Sequence, residues 1–232
     1  MTNLCDLNWL QVEGAARRAV LVPLGSLEQH GPHLPLDTDT RIAVAVARGA
    51  AASRGGVAAA PPVAFGSSGE HAAFAGTLSI GTSALCSLLV ELGRDATRDW
   101  KAMLLVNGHG GNVDAVSAAV DCLRGEGRPC AAFHVAPGSG DAHAGLSETA
   151  LLLHLAPEVV RLDLAEAGER SPVSELMDRL RSDGVRSVSA NGVLGDPRAA
   201  TAREGRRLFE ELIAGCLASL DALLAIPKPV HA

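Results

Sequence analysis

Short apolar runs alternating with stretches of helical spacing predict an α/β layer fold with a mostly parallel sheet. Two further observations agree. Hydrophobic residues make up 47% of the 232, yet there are only four Phe, two Trp and no Tyr. A core of Ala, Val and Leu suits close packing of helices on a sheet. The residues that carry chemistry gather where predicted strands give way to loops, the edge at which such sheets bind ligands. No internal repeat and no linker is evident, so residues 1–232 are expected to form one domain, with a short lead-in at 1–18 and a loose tail at 226–232.

Residues 19–24 form an apolar run ending at Gly25, read as a buried parallel strand. Residues 40–54 carry helical spacing (Ile42, Val46, Ala50) and stop at Gly55 and Gly56. Residues 57–65 read as the next strand, interrupted by Pro61 and Pro62, which suits an edge or a break. A short strand is expected at 77–80, then a helix at 84–100 capped by Thr82 or Ser83. Residues 102–106 read as another buried strand, 113–124 as a helix, 130–135 as a strand and 136–143 as a loop. An apolar helix at 148–155 ends at Pro157. Residues 165–198 are polar and irregular, with one helix expected near 173–181, and a long amphipathic helix at 199–224 follows.

Composition excludes several classes. The formal charge is −6 with no basic tract, so nucleic acid and anionic membrane are poor partners. The five cysteines are odd in number and contain no C-x-x-C pair, which argues for reduced thiols and against a disulfide framework or a Cys-ligated zinc. No apolar run reaches spanning length, and the first residues lack a signal peptide's basic start and apolar core. A cytoplasmic protein is expected.

The stretch from Leu24 to Thr40 is the centre of the reading. Glu28 and His30 are two apart and leave an extended backbone on one face. Asp37 and Asp39 arrive at the entrance of a helix. Two carboxylates and an imidazole at a strand-to-helix turn suit a divalent metal; the alternative is a solvated loop whose aspartates cap the helix. Asn107-Gly108-His109-Gly110-Gly111-Asn112 places an imidazole among glycines directly after a strand. A dinucleotide turn competes there but fails on spacing, because its third glycine would fall at Val113. His143 precedes Glu148 by five residues, and Glu148 also reads simply as a first-turn acid favoured by the helix dipole. Glu70 and His71, in a flexible loop, are candidates for lining the pocket. His33, His134, His154 and His231 read as loop, structural, packed and tail residues respectively. No G-x-S-x-G elbow and no H-E-x-x-H helix is present.

Together these loops resemble the creatininase (creatinine amidohydrolase) family. The resemblance rests on Glu28-x-His30 with Asp39 eleven residues after the glutamate, the Asn107 to Asn112 run, His143-Ala144-Gly145-x-x-Glu148-Thr149, and Gly66-Ser67-Ser68-Gly69-Glu70-His71 continuing to Gly76-Thr77. It spans roughly residues 19–220. Leu34 to Ala43 and Asn191 to Pro197 are most similar to the mycofactocin-system branch of that family.

The resemblance implies a three-layer α/β/α sandwich, a homo-oligomer (hexamer or octamer), and a hydrolase of amide or peptide C–N bonds that uses two divalent ions per subunit. Carried over by residue, Glu28 and His109 would hold one metal, His30 the other, and Asp39 both. Creatininase has a glutamate two residues beyond the His109 position; here that residue is Gly111, and Glu148 is the expected replacement. The ligands suit Zn, Fe or Mn. His143 is the candidate acid that protonates the departing amine. The implied substrate is the modified mycofactocin precursor peptide, cut near its C-terminus to release a Val-Tyr-derived core. Another amidohydrolase of the family, acting on creatinine or a formamide, and a non-catalytic metal-binding scaffold are the alternatives.

Overall fold

A computed structural model of the chain describes residues 3–136 and 141–226. The expected tail beyond residue 226, His231 within it, and residues 137–140 of the expected 136–143 loop lie outside the described residues. A short helix α1 (Trp9–Glu13), closed by an Asn8–Gln11 capping box, precedes the first strand.

The centre of the fold is a sheet of four parallel strands. They are β1 (Ala19–Leu24), β2 (Val57–Ala59), β3 (Met103–Asn107) and β4 (Cys130–His134), in the order β2-β1-β3-β4. Leu21 pairs with Leu104 and Leu104 with Ala131, which sets the register. β1 is buried along its whole length because it has a core on each side. Ala19 and Leu21 face one cluster, whereas Val20, Val22 and Leu24 face the other, as the two-residue period of a strand dictates.

Proline is unusual in a central strand because it cannot donate to the ladder. Pro23 is tolerated because its polar side faces β2, which has already ended. Its carbonyl accepts instead from Val63 N–H at 2.9 Å. The predicted strand at 57–65 is therefore only three residues long: Pro61 and Pro62 break it, and the chain touches β1 again in a single bridge, Leu24 to Val63. The strand expected at 77–80 is also absent. Only one bridge forms, Leu27 to Leu78, and Leu78 and Ile80 are exposed, so no neighbour completes a ladder.

Helices cover both faces. On one lie α2 (Thr38–Ala52), α5 (Leu146–Leu155) and α7 (Ala202–Ala225), packed through Ile42, Val46, Leu151, Leu208 and Leu212. On the other lie α3 (Thr82–Asp99) and α4 (Val113–Gly125), packed through Leu85, Leu89, Val116 and Leu123. Each such side chain contributes about 1.5–3 kcal/mol by leaving water. This is the three-layer α/β/α arrangement. α6 (Val173–Asp183) stands apart, with Leu176 its single buried residue. α7 begins three residues later than its spacing predicts, because Thr201 caps it by accepting from Glu204 N–H at 3.2 Å.

Candidate metal centre

The loops that follow the strands at one edge of the sheet converge. The chain leaving β1 carries Glu28 and His30, and the first turn of α2 brings Asp39. The segment after β3 supplies His109, a one-turn helix at Gly69–His71 supplies Glu70 and His71, and the entrance to α5 supplies His143 and Glu148. Two asparagines sew these loops together. Asn112 donates to Gly25 O at 3.0 Å and to Asn107 Oδ1 at 3.1 Å, and accepts from Ser67 N–H at 2.8 Å. Asn107 donates to His109 O at 2.7 Å. Both asparagines of the Asn-Gly-His-Gly-Gly-Asn run thus serve loop geometry.

Asp39 is the hinge of the cluster. Its Oδ1 lies 2.9 Å from His30 Nε2; its Oδ2 lies 3.2 Å from His109 Nδ1 and accepts from Ser26 Oγ at 2.7 Å. Neither aspartate caps α2: Asp37 makes no capping bond and pairs outward with Arg41 at 2.7 Å, while Asp39 turns inward. The capping alternative is thereby set aside.

Glu28 is fully buried, and neither of its side-chain oxygens accepts a hydrogen bond. Imidazole nitrogens surround it without bonding geometry: His71 Nε2 at 3.3 Å, His109 Nε2 at 3.2 Å and His143 Nδ1 at 3.7 Å. A buried carboxylate costs several kcal/mol unless it is paired or coordinates a cation. His30 Nδ1–H donates to Glu28 O at 3.1 Å, which leaves Nε2 directed at Asp39 and, 3.9 Å away, at Glu148 Oε2. Glu148 is held by Ala144 N–H at 2.6 Å, and Ala144 is the one described non-glycine residue with positive φ (51°).

Donor atoms come within 4.8 Å of one another in three sets: Glu28, Asp39 and His109; His30, His143 and Glu148; and Glu28, His71 and His143. Buried nitrogen and oxygen donors with no thiolate fit Zn²⁺, Fe²⁺ or Mn²⁺. All five expected ligands and His143 therefore converge. His71 lies inside the cluster and is buried; Glu70 stands at its edge, with Oε1 3.4 Å from His109 Nε2.

Gly111 explains why no side chain stands two residues after His109. A Cβ there would come within 2.3 Å of Ser67 O and 2.5 Å of both Glu70 Oε1 and His109 Nε2. The Ser67 main chain and the Glu70 carboxylate fill that volume.

Burial opposes charge on His30, but Asp39, with Glu148 and Glu28, outweighs it and raises the imidazole to about 10. Burial likewise opposes charge on His109, and Glu28 and Asp39 carry it well above its usual range. Burial raises Glu148 to about 7. Burial, with His30 and His71 as neighbours, holds His143 well below the usual imidazole range. His143 Nε2–H donates to the main-chain carbonyl of Gln29 at 2.8 Å, so Nδ1 presents its lone pair to the cluster.

Several neighbours give no signal in the sequence. Ser26 and Gln29 are polar and buried, and only the fold brings them to their distant partners. His33, expected as a loop residue, is buried and shares a 2.8 Å hydrogen bond with Thr149 Oγ1. His154 packs on Phe209, and His134 meets Asn107 at the end of the sheet. The irregular segment around Asn191 reaches the centre too, because Leu194 pairs through its main chain with His143.

The creatinine amidohydrolase family model matches residues 5–220. The mycofactocin precursor peptide peptidase of Mycolicibacterium smegmatis is 56% identical over 203 residues, 85% of this chain and 82% of that protein. The creatinine amidohydrolase of Pseudomonas putida is 26% identical over 244 residues, 90% of this chain and 92% of that protein. Among solved structures, one described as "Creatininase Mn" superposes with a TM-score of 0.81 at 21% identity, covering 97% of this chain and 99% of that one. A mutant creatininase of "Zn-Zn type" gives a TM-score of 0.81 at 22% identity, with the same coverage. The fold, the converging carboxylates and imidazoles and the family match agree: this chain belongs to the creatininase (creatinine amidohydrolase) family.

Proposed function

We propose that this chain is a metal-dependent peptidase that hydrolyses a C–N bond of the modified mycofactocin precursor peptide near its C-terminus, releasing the Val-Tyr-derived core. The observation that carries the substrate is the 56% identity to a relative named as that peptidase. The observation that supports the chemistry is Glu28, a buried carboxylate without a hydrogen bond among three imidazoles.

In this reading Glu28, Asp39 and His109 hold one divalent cation, and His30, Asp39 and Glu148 the other, as two ions of Zn, Fe or Mn per subunit. When bound, such ions supply Lewis-acid polarisation of the amide carbonyl and activation of water. His143 moves the proton. Its free Nδ1 takes the proton from the attacking water and passes it to the departing amine nitrogen, so its role as acid follows a first step as base. Glu70, at the rim, and His71 face the substrate. No protein nucleophile is used, so no covalent enzyme intermediate forms. The working form is a cytoplasmic homo-oligomer, a hexamer or octamer. Among the described residues no helix is long and apolar enough to cross a membrane.

The test offers purified, metal-loaded protein the modified precursor peptide, creatinine and a formamide, with products followed by mass spectrometry. Cleavage of the peptide near its C-terminus is the expected result. Rapid creatinine hydrolysis without peptide cleavage would refute the proposal.

A further inference from the structure

Gln29 stands between Glu28 and His30 and is neither a metal donor nor a proton carrier, yet its side chain is buried and fully engaged. Its Oε1 accepts Gly31 N–H at 2.8 Å, and its Nε2 donates to Gly192 O at 3.1 Å. A main-chain N–H can only donate and a carbonyl can only accept, so these two partners fix which end of the amide is which. The fit with residue 192 requires glycine. Its φ is +80°, and a Cβ there would lie 1.9 Å from Gln29 Oε1.

One N–H of the amide remains. It is within reach of His71 Nδ1 at 2.9 Å and His143 Nε2 at 3.1 Å. His143 Nε2 already carries a proton, because it lies 2.8 Å from the Gln29 carbonyl oxygen, which can only accept. His71 Nδ1 is therefore the acceptor. The proton of a neutral His71 must then sit on Nε2, 3.3 Å from Glu28 Oε1. His143 shows its bare Nδ1 to the same oxygen at 3.7 Å. The ring centroids are 4.5 Å apart, so the two imidazoles face one spot with opposite polarity.

We propose that Gln29 is a positioning residue that fixes the proton of His71 on Nε2 with its side-chain amide and that of His143 on Nε2 with its main-chain carbonyl. His71 then offers an N–H to an oxygen of the substrate while His143 offers a lone pair to the water. This use of the two rings rests on the hydrolase reading above; the proton positions do not. Gly192 ties the device to the irregular late segment, whose loop holds the amide in its one useful orientation.

The test is the tautomeric state of the two rings, read from side-chain ¹⁵N signals of histidine-labelled, zinc-loaded protein at neutral pH. In the wild type both His71 and His143 should show a protonated Nε2 and a bare Nδ1. In Gln29→Met, which removes the amide and keeps the length, His71 should change to an averaged signal of both tautomers. His143 should not move, since its partner is a main-chain atom that every variant retains, and its unchanged signal reports a folded site. Turnover of the peptide should fall about tenfold in kcat with KM within about twofold, as for loss of an oriented donor from part of the population. A proton on Nδ1 of His71 in the wild type, or a His71 signal unaltered in Gln29→Met, would overturn the proposal. The readout does not depend on activity. A protein inactive on the peptide would remove the hydrolase reading, and the same spectra would still decide the role of Gln29.

Discussion

Asp39 faces His30 with one carboxylate oxygen and His109 with the other, at 2.9 and 3.2 Å, so a single side chain touches both halves of the cluster. Replacing it should disable both halves together. Asp39→Ala, and likewise Glu28→Ala, should lose bound metal and reduce kcat/KM by about 10³ or more. Elemental analysis paired with peptide turnover checks this. Full activity in a variant stripped of metal would contradict it.

Metal affinity should depend on pH. His30, held up to about 10 chiefly by Asp39 against the cost of burial, keeps a proton through the neutral range, which a cation bound as proposed would have to displace. The apparent affinity for Zn²⁺ should rise about tenfold per pH unit for each proton released. Calorimetric titration in two buffers of different ionisation enthalpy counts those protons. A pH-independent affinity between pH 6 and 8 is the opposing result.

His33 gives a stability prediction of definite sign. Burial, reinforced by the charge on His30, pushes its pKa down to about 4. The unfolded chain takes up that proton near pH 6.5, so stability is full above this pH and is lost as pH falls toward 4. In urea unfolding, the advantage of wild type over His33→Gln should shrink by about 2 kcal/mol between pH 7 and pH 5. A constant difference would show that His33 titrates normally.

Ala144 adopts φ of 51° so that its N–H can reach Glu148. The left-handed conformation costs an ordinary residue about 1–2 kcal/mol, and glycine relieves it at an entropic cost of about 0.5–1 kcal/mol. Ala144→Gly should therefore stay within about 1 kcal/mol of wild type. Ala144→Val, branched at a fully buried site, should lose about 2 kcal/mol or more. Denaturant melts of both variants separate backbone strain from simple loss of volume.

The ligand-type residues could be read from the sequence because carboxylates and imidazoles at strand ends are rare enough to stand out. The buried strands were equally plain, since β1 and β3 meet a core on each face and read as unbroken apolar runs. Residues 77–80 misled because a β-prone run becomes a strand only if a neighbour lies beside it, and here there is a single bridge. Gln29 was silent for a different reason: the acceptors of its amide nitrogen lie 42 and 163 residues away, and an amide carries no periodic signature. The late irregular segment carries the Asn191 to Pro197 resemblance but shows nothing of its place beside the site, because it docks there by main-chain atoms. Leu194 N–H donates to His143 O at 2.8 Å, and Gly192 offers only a carbonyl to Gln29.

That docking has a consequence for when the protein becomes competent. Gly192 and Leu194, which steady Gln29 and His143, are made after both, so a growing polypeptide carries those groups for a time without this support. Fragments ending before Gly192 should leave the main chain at Ala142 and His143, which pairs with Leu194 in the full-length protein, open to added protease. A peptide-cutting enzyme built this way should gain its activity only once the Gly192 and Leu194 segment has been made.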